Sequence, residues 1–197
     1  MLLSQDEARF PLVPTLHPTL GVKGYRPVVG TWDNKDQVSC LAALNLVTGQ
    51  LTTRLLEQPA RSTITTGHSN QQRLQGAFAA HLQAIARMYP AATSPEGVIT
   101  IDNAPWPRGA RVAAILAAHP QLRLYRLPSY SPQLNVIERF WRVLRRRATH
   151  NRLFTSMAAV RTTLRSNMSY FHTMRHKVLS LIESPRKAKK EAKLAAA

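Results

Sequence analysis

Residues 127–141, Leu-Pro-Ser-Tyr-Ser-Pro-Gln-Leu-Asn-Val-Ile-Glu-Arg-Phe-Trp, contain the change of period that decides how this chain folds. Immediately before them, Gln121–Leu127 (QLRLYRL) alternates apolar and polar residues, the period of a strand. Pro128 to Pro132 form a turn, since two prolines fix φ and Ser and Tyr between them carry no helical pattern. From Leu134 to Ala148 the period becomes helical, with Ile137, Phe140, Trp141 and Leu144 on one stripe that should pack on a sheet. Asn135 stands where its side chain can cap that helix. Glu138, Arg142 and Arg145 fall at i, i+4 and i+7 on an adjoining face.

The elements on either side follow from the same two periods. Upstream, Val98–Ile101 is a short apolar strand ending at Asp102, and Arg111–Ala118 is an Ala-rich helix. Ser69–Tyr89 carries Leu74, Phe78, Leu82, Ile85 and Met88 at helical spacing and is closed by Pro90. Earlier still come Leu2–Phe10 as a short strand, a proline-rich excursion from Pro11 to Pro27, and a strand-like Val28–Trp32. Gln37–Leu46 and Leu51–Glu57 read as a hairpin about Thr48-Gly49. Downstream, Ser156–Phe171 is helical, and from Pro185 the tail PRKAKKEAKLAAA is basic and without large apolar anchors. A strand meander followed by alternating helices and strands describes an α/β chain with a mixed sheet and helices on its faces. A ribonuclease-H-like fold has this order, as do other α/β arrangements.

Composition narrows the partners. The chain has 197 residues, enough for one domain or one domain with a tail, and 44% of them are hydrophobic. Lys and Arg number 27 against 10 Asp and Glu, a formal net charge of +17. Such an excess calls for a polyanion, nucleic acid first. An anionic membrane surface would need a basic amphipathic helix with an exposed apolar face. Cys40 is the only cysteine, which excludes an internal disulfide and a thiol-rich zinc site. The opening Met-Leu-Leu-Ser-Gln-Asp-Glu does not read as a signal peptide, and no apolar run is long enough to span a bilayer. A cytosolic, DNA-accessible location is the expectation.

Three carboxylates can carry chemistry. Asp102 ends a buried strand, where side chains border the crevice of an open sheet; Asp-Asn-Ala-Pro is equally good turn chemistry. Glu138 can ligate a metal with arginines beside it to hold phosphates, or form an exposed ion pair with Arg142 worth about 0.3–0.5 kcal/mol. Asp6, taken alone, reads as a solvated acid near the start of the chain, with Glu7 on the opposite face of the strand. Arg108, Arg111, Arg139, Arg142, Arg145, Arg146 and Arg147 are candidate DNA-phosphate contacts or plain surface charges. His172 and His176, at i and i+4, would suit a metal only with a third ligand.

The words around the carboxylates add a family. Ser4-Gln5-Asp6-Glu7-Ala8-Arg9-Phe10, Ile101-Asp102-Asn103-Ala104-Pro105 and above all residues 127–141 resemble the DDE transposases of bacterial insertion sequences, in the branch related to the Tc/mariner superfamily. Asp102 and Glu138 have 35 residues between them, a spacing similar to that branch. The resemblance covers roughly residues 1–150. It implies a ribonuclease-H-like mixed five-stranded sheet flanked by helices, with a catalytic domain over 1–171 and a helix remnant and basic tail over 172–197. Asp6, Asp102 and Glu138 would hold Mg²⁺ or Mn²⁺, two ions about 3.5–4 Å apart, as hard oxygen donors suit. Without metal such a site should be loose or partly protonated.

The same resemblance implies two reactions on DNA: water attacks the element's end, and the freed 3′-hydroxyl then attacks target DNA, with no covalent protein–DNA intermediate. The partners implied are element ends and target DNA, a homodimer on DNA, and a separate N-terminal helix-turn-helix module. The location implied is the bacterial cytoplasm, at the nucleoid. Two departures are expected to matter. Leu20 stands where a Trp is often seen, and only five residues precede Asp6, which should weaken pairing of the first strand. Two other readings are a truncated remnant that binds DNA through its charge alone and a nuclease acting on RNA–DNA hybrids.

Overall fold

A computed structural model of the chain describes residues 1–56, 70–104, 109–129 and 131–182. Five strands form one mixed sheet: β1 (Leu2–Pro11), β2 (Gln37–Asn45), β3 (Leu51–Leu56), β4 (Gly97–Ile101) and β5 (Leu122–Arg126), in the spatial order β3-β2-β1-β4-β5. β1, β2 and β3 are an antiparallel meander, while β4 and β5 join parallel to β1 and to each other. Five helices flank it among the described residues: α1 (Asn70–Met88), α2 (Ala110–Ala118), α3 (Ile137–Ala148), α4 (Met157–Thr173) and α5 (Arg175–Ile182). The ribonuclease-H-like mixed five-stranded sheet flanked by helices that the resemblance implies is the arrangement observed.

Strand alternation divides the core between the two faces. On one side Ala8, Phe10, Val38, Cys40, Ala42 and Leu44 meet α3, α4 and α5. On the other, Leu3, Leu41, Ala43, Ile99 and Ile101 meet α1 and α2. The α3 stripe packs as its period dictates: Ile137, Phe140, Trp141 and Leu144 are all fully buried. Burying four such side chains stabilises the contact by roughly 6–12 kcal/mol before entropy is counted. Phe140 and Trp141 lie against each other with ring centroids 5.2 Å apart, and Phe10 meets Trp141 edge-on at 6.1 Å. The apolar stripe of α1 is likewise buried at Leu74, Phe78, Leu82 and Ile85, and ends at a half-exposed Met88.

Several expectations need correction. β1 runs from Leu2 to Pro11, close to the expected Leu2–Phe10, and pairs with β2 from Leu3 to Pro11, so the five residues before Asp6 do not weaken its pairing. Val28–Trp32 is not a strand. Its Val28 is 89% exposed, and Trp32 is held instead by its indole N–H donating to the Phe154 carbonyl at 2.7 Å. Pro132–Leu134 is a single 3-10 turn, and α3 begins only at Ile137. His172 and His176 do not share a helix, because the chain breaks at Met174 between α4 and α5. His172 sits beside Thr53 Oγ1 at 3.2 Å, and burial with Arg175 nearby lowers its pKa.

α5 closes the β2–β3 turn. Gly49 there has φ of +70°, and a Cβ on it would lie 2.5 Å from the Arg175 carbonyl oxygen. Both the backbone conformation and the close approach require glycine. No described helix is long and apolar enough to cross a membrane.

Candidate active site

Continuing the β1–β4 register beyond the Ser4–Thr100 pair places Asp102 level with Asp6 on adjacent strands. Asp6 shares the face of Ser4, Ala8 and Phe10, the side on which α3 packs. The first turn of α3 brings Glu138 over the same place. The three carboxylates therefore line one cavity of about 300 Å³, together with Asn103, Ala104, Asn135 and the loop residues Leu127, Pro128, Ser129 and Ser131.

Their environments differ. Asp6 is only 6% exposed. Burial raises its pKa from 3.8 to about 7; Glu138 adds to the rise and Asp102 adds less, while hydrogen bonds from the Glu7 backbone and the Trp141 indole pull it back. The Trp141 indole N–H donates to Asp6 Oδ2 at 3.1 Å, so a residue of the core also orients the carboxylate. Asp102 is half-buried, and its Oδ1 accepts the Ala104 N–H at 3.1 Å. The turn-forming role open to it in the sequence is real, and it coexists with a place in the cavity wall. Glu138 is exposed and, among the described residues, forms no ion pair with Arg142.

A small polar network sets the start of α3. Asn135 does not cap the helix with its side chain: the N-cap is Val136, which has no polar side chain to offer. Instead, buried Ser4 donates its hydroxyl to Asn135 Oδ1 at 3.0 Å and accepts the Ile137 N–H at 3.4 Å. A β1 side chain thus provides the cap and ties Glu138 to the strand that carries Asp6. On the other wall, Asn103 Nδ2 donates to the Leu127 carbonyl at 2.7 Å and to Ser129 Oγ at 3.2 Å, linking the segment after Asp102 to the loop. No pattern in the sequence marks Ser4 or Asn103 for these roles. The only available signal is position, Ser4 lying two residues before Asp6 on the same face and Asn103 directly following Asp102.

The candidate phosphate-binding arginines scatter. Arg108 lies outside the described residues. Arg139 Nη1 donates to the Ile182 carbonyl at 3.0 Å. Arg145 lies 5.6 Å from the Phe10 ring centroid, and Arg147 stacks 4.0 Å over Tyr170 while its Nε donates to Asn167 Oδ1 at 2.9 Å. Arg142 and Arg146 are exposed on α3. At 1.5 Å rise per residue, Arg146 is about 12 Å along the axis from Glu138. Arg111 lies on α2, away from α3, with its Nη1 3.3 Å from where a Cβ on Gly76 would stand.

The donor set fits a hard divalent ion, since three carboxylates offer oxygens and nothing soft. Among the described residues no three His, Cys, Asp or Glu side chains are gathered into a metal-ligand set. The three carboxylates line a shared space without being gathered into one ligand set.

A mixed five-stranded sheet with carboxylates at β1, the end of β4 and the start of α3 is a ribonuclease-H-like arrangement. The family model described as DDE superfamily endonuclease matches residues 1–161, and the chain belongs to that family. A comparison with curated proteins found no match. Among solved structures, a pre-cleavage Mos1 transpososome has a TM-score of 0.61 at 16% identity, covering 92% of this chain and 53% of the other. The Mos1 mariner paired-end complex with Mn gives the same values. The catalytic domain of Mos1 mariner transposase has a TM-score of 0.56 at 15% identity, covering 92% of this chain and 78% of that one. Identities this low speak to the fold alone. The chain spans about half the length of the complexed transposase chains it matches.

Proposed function

We propose that this chain is the catalytic domain of a DNA transposase that cleaves DNA strands and joins them to a target, using divalent metal ions held by Asp6, Asp102 and Glu138. One observation carries the reading: three carboxylates from distant parts of the sequence line a single cavity at one end of the sheet. Solved Mos1 structures containing Mn and Mg support a divalent ion as the cofactor, and paired-end and strand-transfer complexes of that protein support DNA as the substrate. Mg²⁺ or Mn²⁺, as two ions, is the form the chemistry favours. When bound, such ions activate a water or a 3′-hydroxyl and stabilise the leaving oxygen of the phosphodiester.

The protein's own contribution is positional. Trp141 fixes the rotation of the Asp6 carboxylate, and Ser4 with Asn135 fixes the start of the helix that carries Glu138. Asn103 holds the Leu127–Ser129 segment as the outer wall of the cavity. Asp6 releases its proton on ligation, so metal binding should strengthen as pH rises toward neutrality. Residues 1–171 form the catalytic domain in this reading, and the segment from 172 onward an appendage that packs Val178 of α5 into the same core. A homodimer on DNA and a separate helix-turn-helix module complete it.

Nicking and strand transfer on DNA carrying the element's ends, with Mn²⁺ or Mg²⁺, test the proposal. Asp102→Asn and Glu138→Gln should each abolish cleavage and leave DNA affinity in EDTA unchanged. Metal-independent DNA binding with no cleavage, unaffected by either substitution, would refute it in favour of a binding remnant.

A further inference from the structure

The α1/α2 face has a second concavity, of about 380 Å³, that the catalytic reading does not use. Three arginines line it, Arg54 at the end of β3, Arg73 in α1 and Arg111 in α2, with Gln72 and Gly76 between them. Among the described residues no Asp or Glu lines it. The arginines come from three elements that the fold brings together. Arg54 Nη2 donates to the Ala80 carbonyl at 3.3 Å, which lays this side chain along α1. Gly76 leaves room for the Arg111 guanidinium to lie against the same helix. Arg54 and Arg111 remain exposed, and Arg73 is half-buried.

The location matters as much as the charge. Arg54 pairs with Leu41, and Leu41 with Glu7, the neighbour of Asp6. The groove is therefore at the same end of the sheet as the carboxylates, two strands along from β1, or about 10 Å at ordinary strand spacing. It opens on the opposite face, where the first turns of α1 and α2 also point their N-terminal dipoles. A guanidinium matches phosphate geometry with paired N–H donors, and three of them lining one groove suit a run of phosphates.

From this juxtaposition we infer that Arg54, Arg73 and Arg111 form a second DNA-backbone groove, which holds duplex phosphates outside the segment engaged at the carboxylates. The inference rests on the reading of the chain as a DNA-acting enzyme, and it is tested without cleavage. In EDTA, binding of the full chain to a random-sequence duplex is measured across a range of salt concentrations. Each phosphate that the protein no longer neutralises lowers the slope of log affinity against log salt by about 0.9. The triple variant Arg54→Gln, Arg73→Gln, Arg111→Gln should lower that slope by roughly 2 to 3. A control removing three other exposed charges, Arg87→Gln, Arg123→Gln, Arg152→Gln, should lower it far less. Equal reductions of the slope in the two variants would overturn the groove.

Phenylglyoxal modification of the unaltered chain, read by mass spectrometry, needs no variant. Bound duplex should protect Arg54, Arg73 and Arg111, and identical modification with and without DNA would overturn the inference whatever the variants' folding. An intact slope difference with no metal-dependent cleavage would leave the groove standing and remove only the catalytic reading.

Discussion

Asp6→Asn should stabilise the metal-free protein, and by an amount that grows with pH. Asp6 is buried beside two other carboxylates, and its pKa is raised from 3.8 to about 7. A raised folded-state pKa means that the native state binds the proton more tightly than the unfolded chain does. The stability associated with it is complete below the unfolded pKa and is lost as pH rises toward the folded pKa. Over that window the loss approaches about 4 kcal/mol at pH 8, and is under about 1 kcal/mol at pH 4. Asparagine carries no charge to desolvate, and its carbonyl oxygen can still accept the Trp141 indole hydrogen bond. In a chain of this length 1 kcal/mol moves the melting temperature by about 2–4 °C, so a gain of roughly 8–16 °C is expected at pH 8 and at most about 2 °C at pH 4. Calorimetry in EDTA at the two pH values reads it. Addition of Mg²⁺ or Mn²⁺ should then stabilise the unaltered protein more than the variant. A variant that is no more stable at pH 8, or whose gain does not depend on pH, would refute the account of Asp6 as a carboxylate strained by burial and by its neighbours.

Three further outcomes follow from the geometry. Trp141→Phe removes a donor to ionised Asp6 and should raise the pH midpoint of Mn²⁺ binding by about one to two units, since a hydrogen bond to a charged group contributes on the order of 1.5–3 kcal/mol; titration calorimetry across pH measures it. Ser4→Ala leaves the Ile137 N–H and the Asn135 carbonyl without their partner and should cost about 1–2 kcal/mol in denaturant melts, with slower cleavage because Glu138 loses its tether. Gly49→Ala forces a β-carbon against the Arg175 carbonyl at a positive φ and should destabilise by roughly 2–4 kcal/mol, with faster hydrogen exchange concentrated in α5. Melts of Gly49→Ala that match the parent would show that α5 does not pack on the turn.

What the sequence disclosed and what it hid divide along a physical line. Strands and helices with an apolar face were legible because burial writes its own period. The stripe Ile137, Phe140, Trp141, Leu144 and the run of α1 both packed as their spacing required. Asp102 and Glu138 were legible through their surroundings, the strand end and the loop motif. Asp6 was the least legible, and the reason lies in β1. Taken alone it reads as a solvated acid near the start of the chain, but β1 is paired on both sides of it and Ala8 and Phe10 are buried against α3, which keeps Asp6 in mid-strand rather than at a frayed end. Val28–Trp32 departs in the opposite way: its β-branched residues have the propensity of a strand, and β1 has no free edge for them, since it is already flanked by β2 and β4.

The polar network about α3 was the part that no pattern could show. The sequence pattern assigns Asn135 to the helix as its cap, because Asn three residues before an acidic first turn is a familiar start. The cap comes from Ser4 instead, 133 positions away from Ile137. The consequence is mechanistic as well as structural. A cap supplied by Asn135 would have held Glu138 to its own loop, and a shift of that loop would have carried Glu138 away from the sheet. A cap supplied by Ser4 fixes the helix start to β1, two residues from Asp6, so the two carboxylates keep their relation even if the loop 127–135 moves to admit DNA. Asp102 is referred to the same strand by the β1–β4 pairing, in which Thr100 Oγ1 also donates to the Leu3 carbonyl at 3.2 Å. All three carboxylates are thus positioned from β1, Asp6 within it, Asp102 through the neighbouring strand and Glu138 through the Ser4 cap, while Asn103 alone joins the loop to this frame.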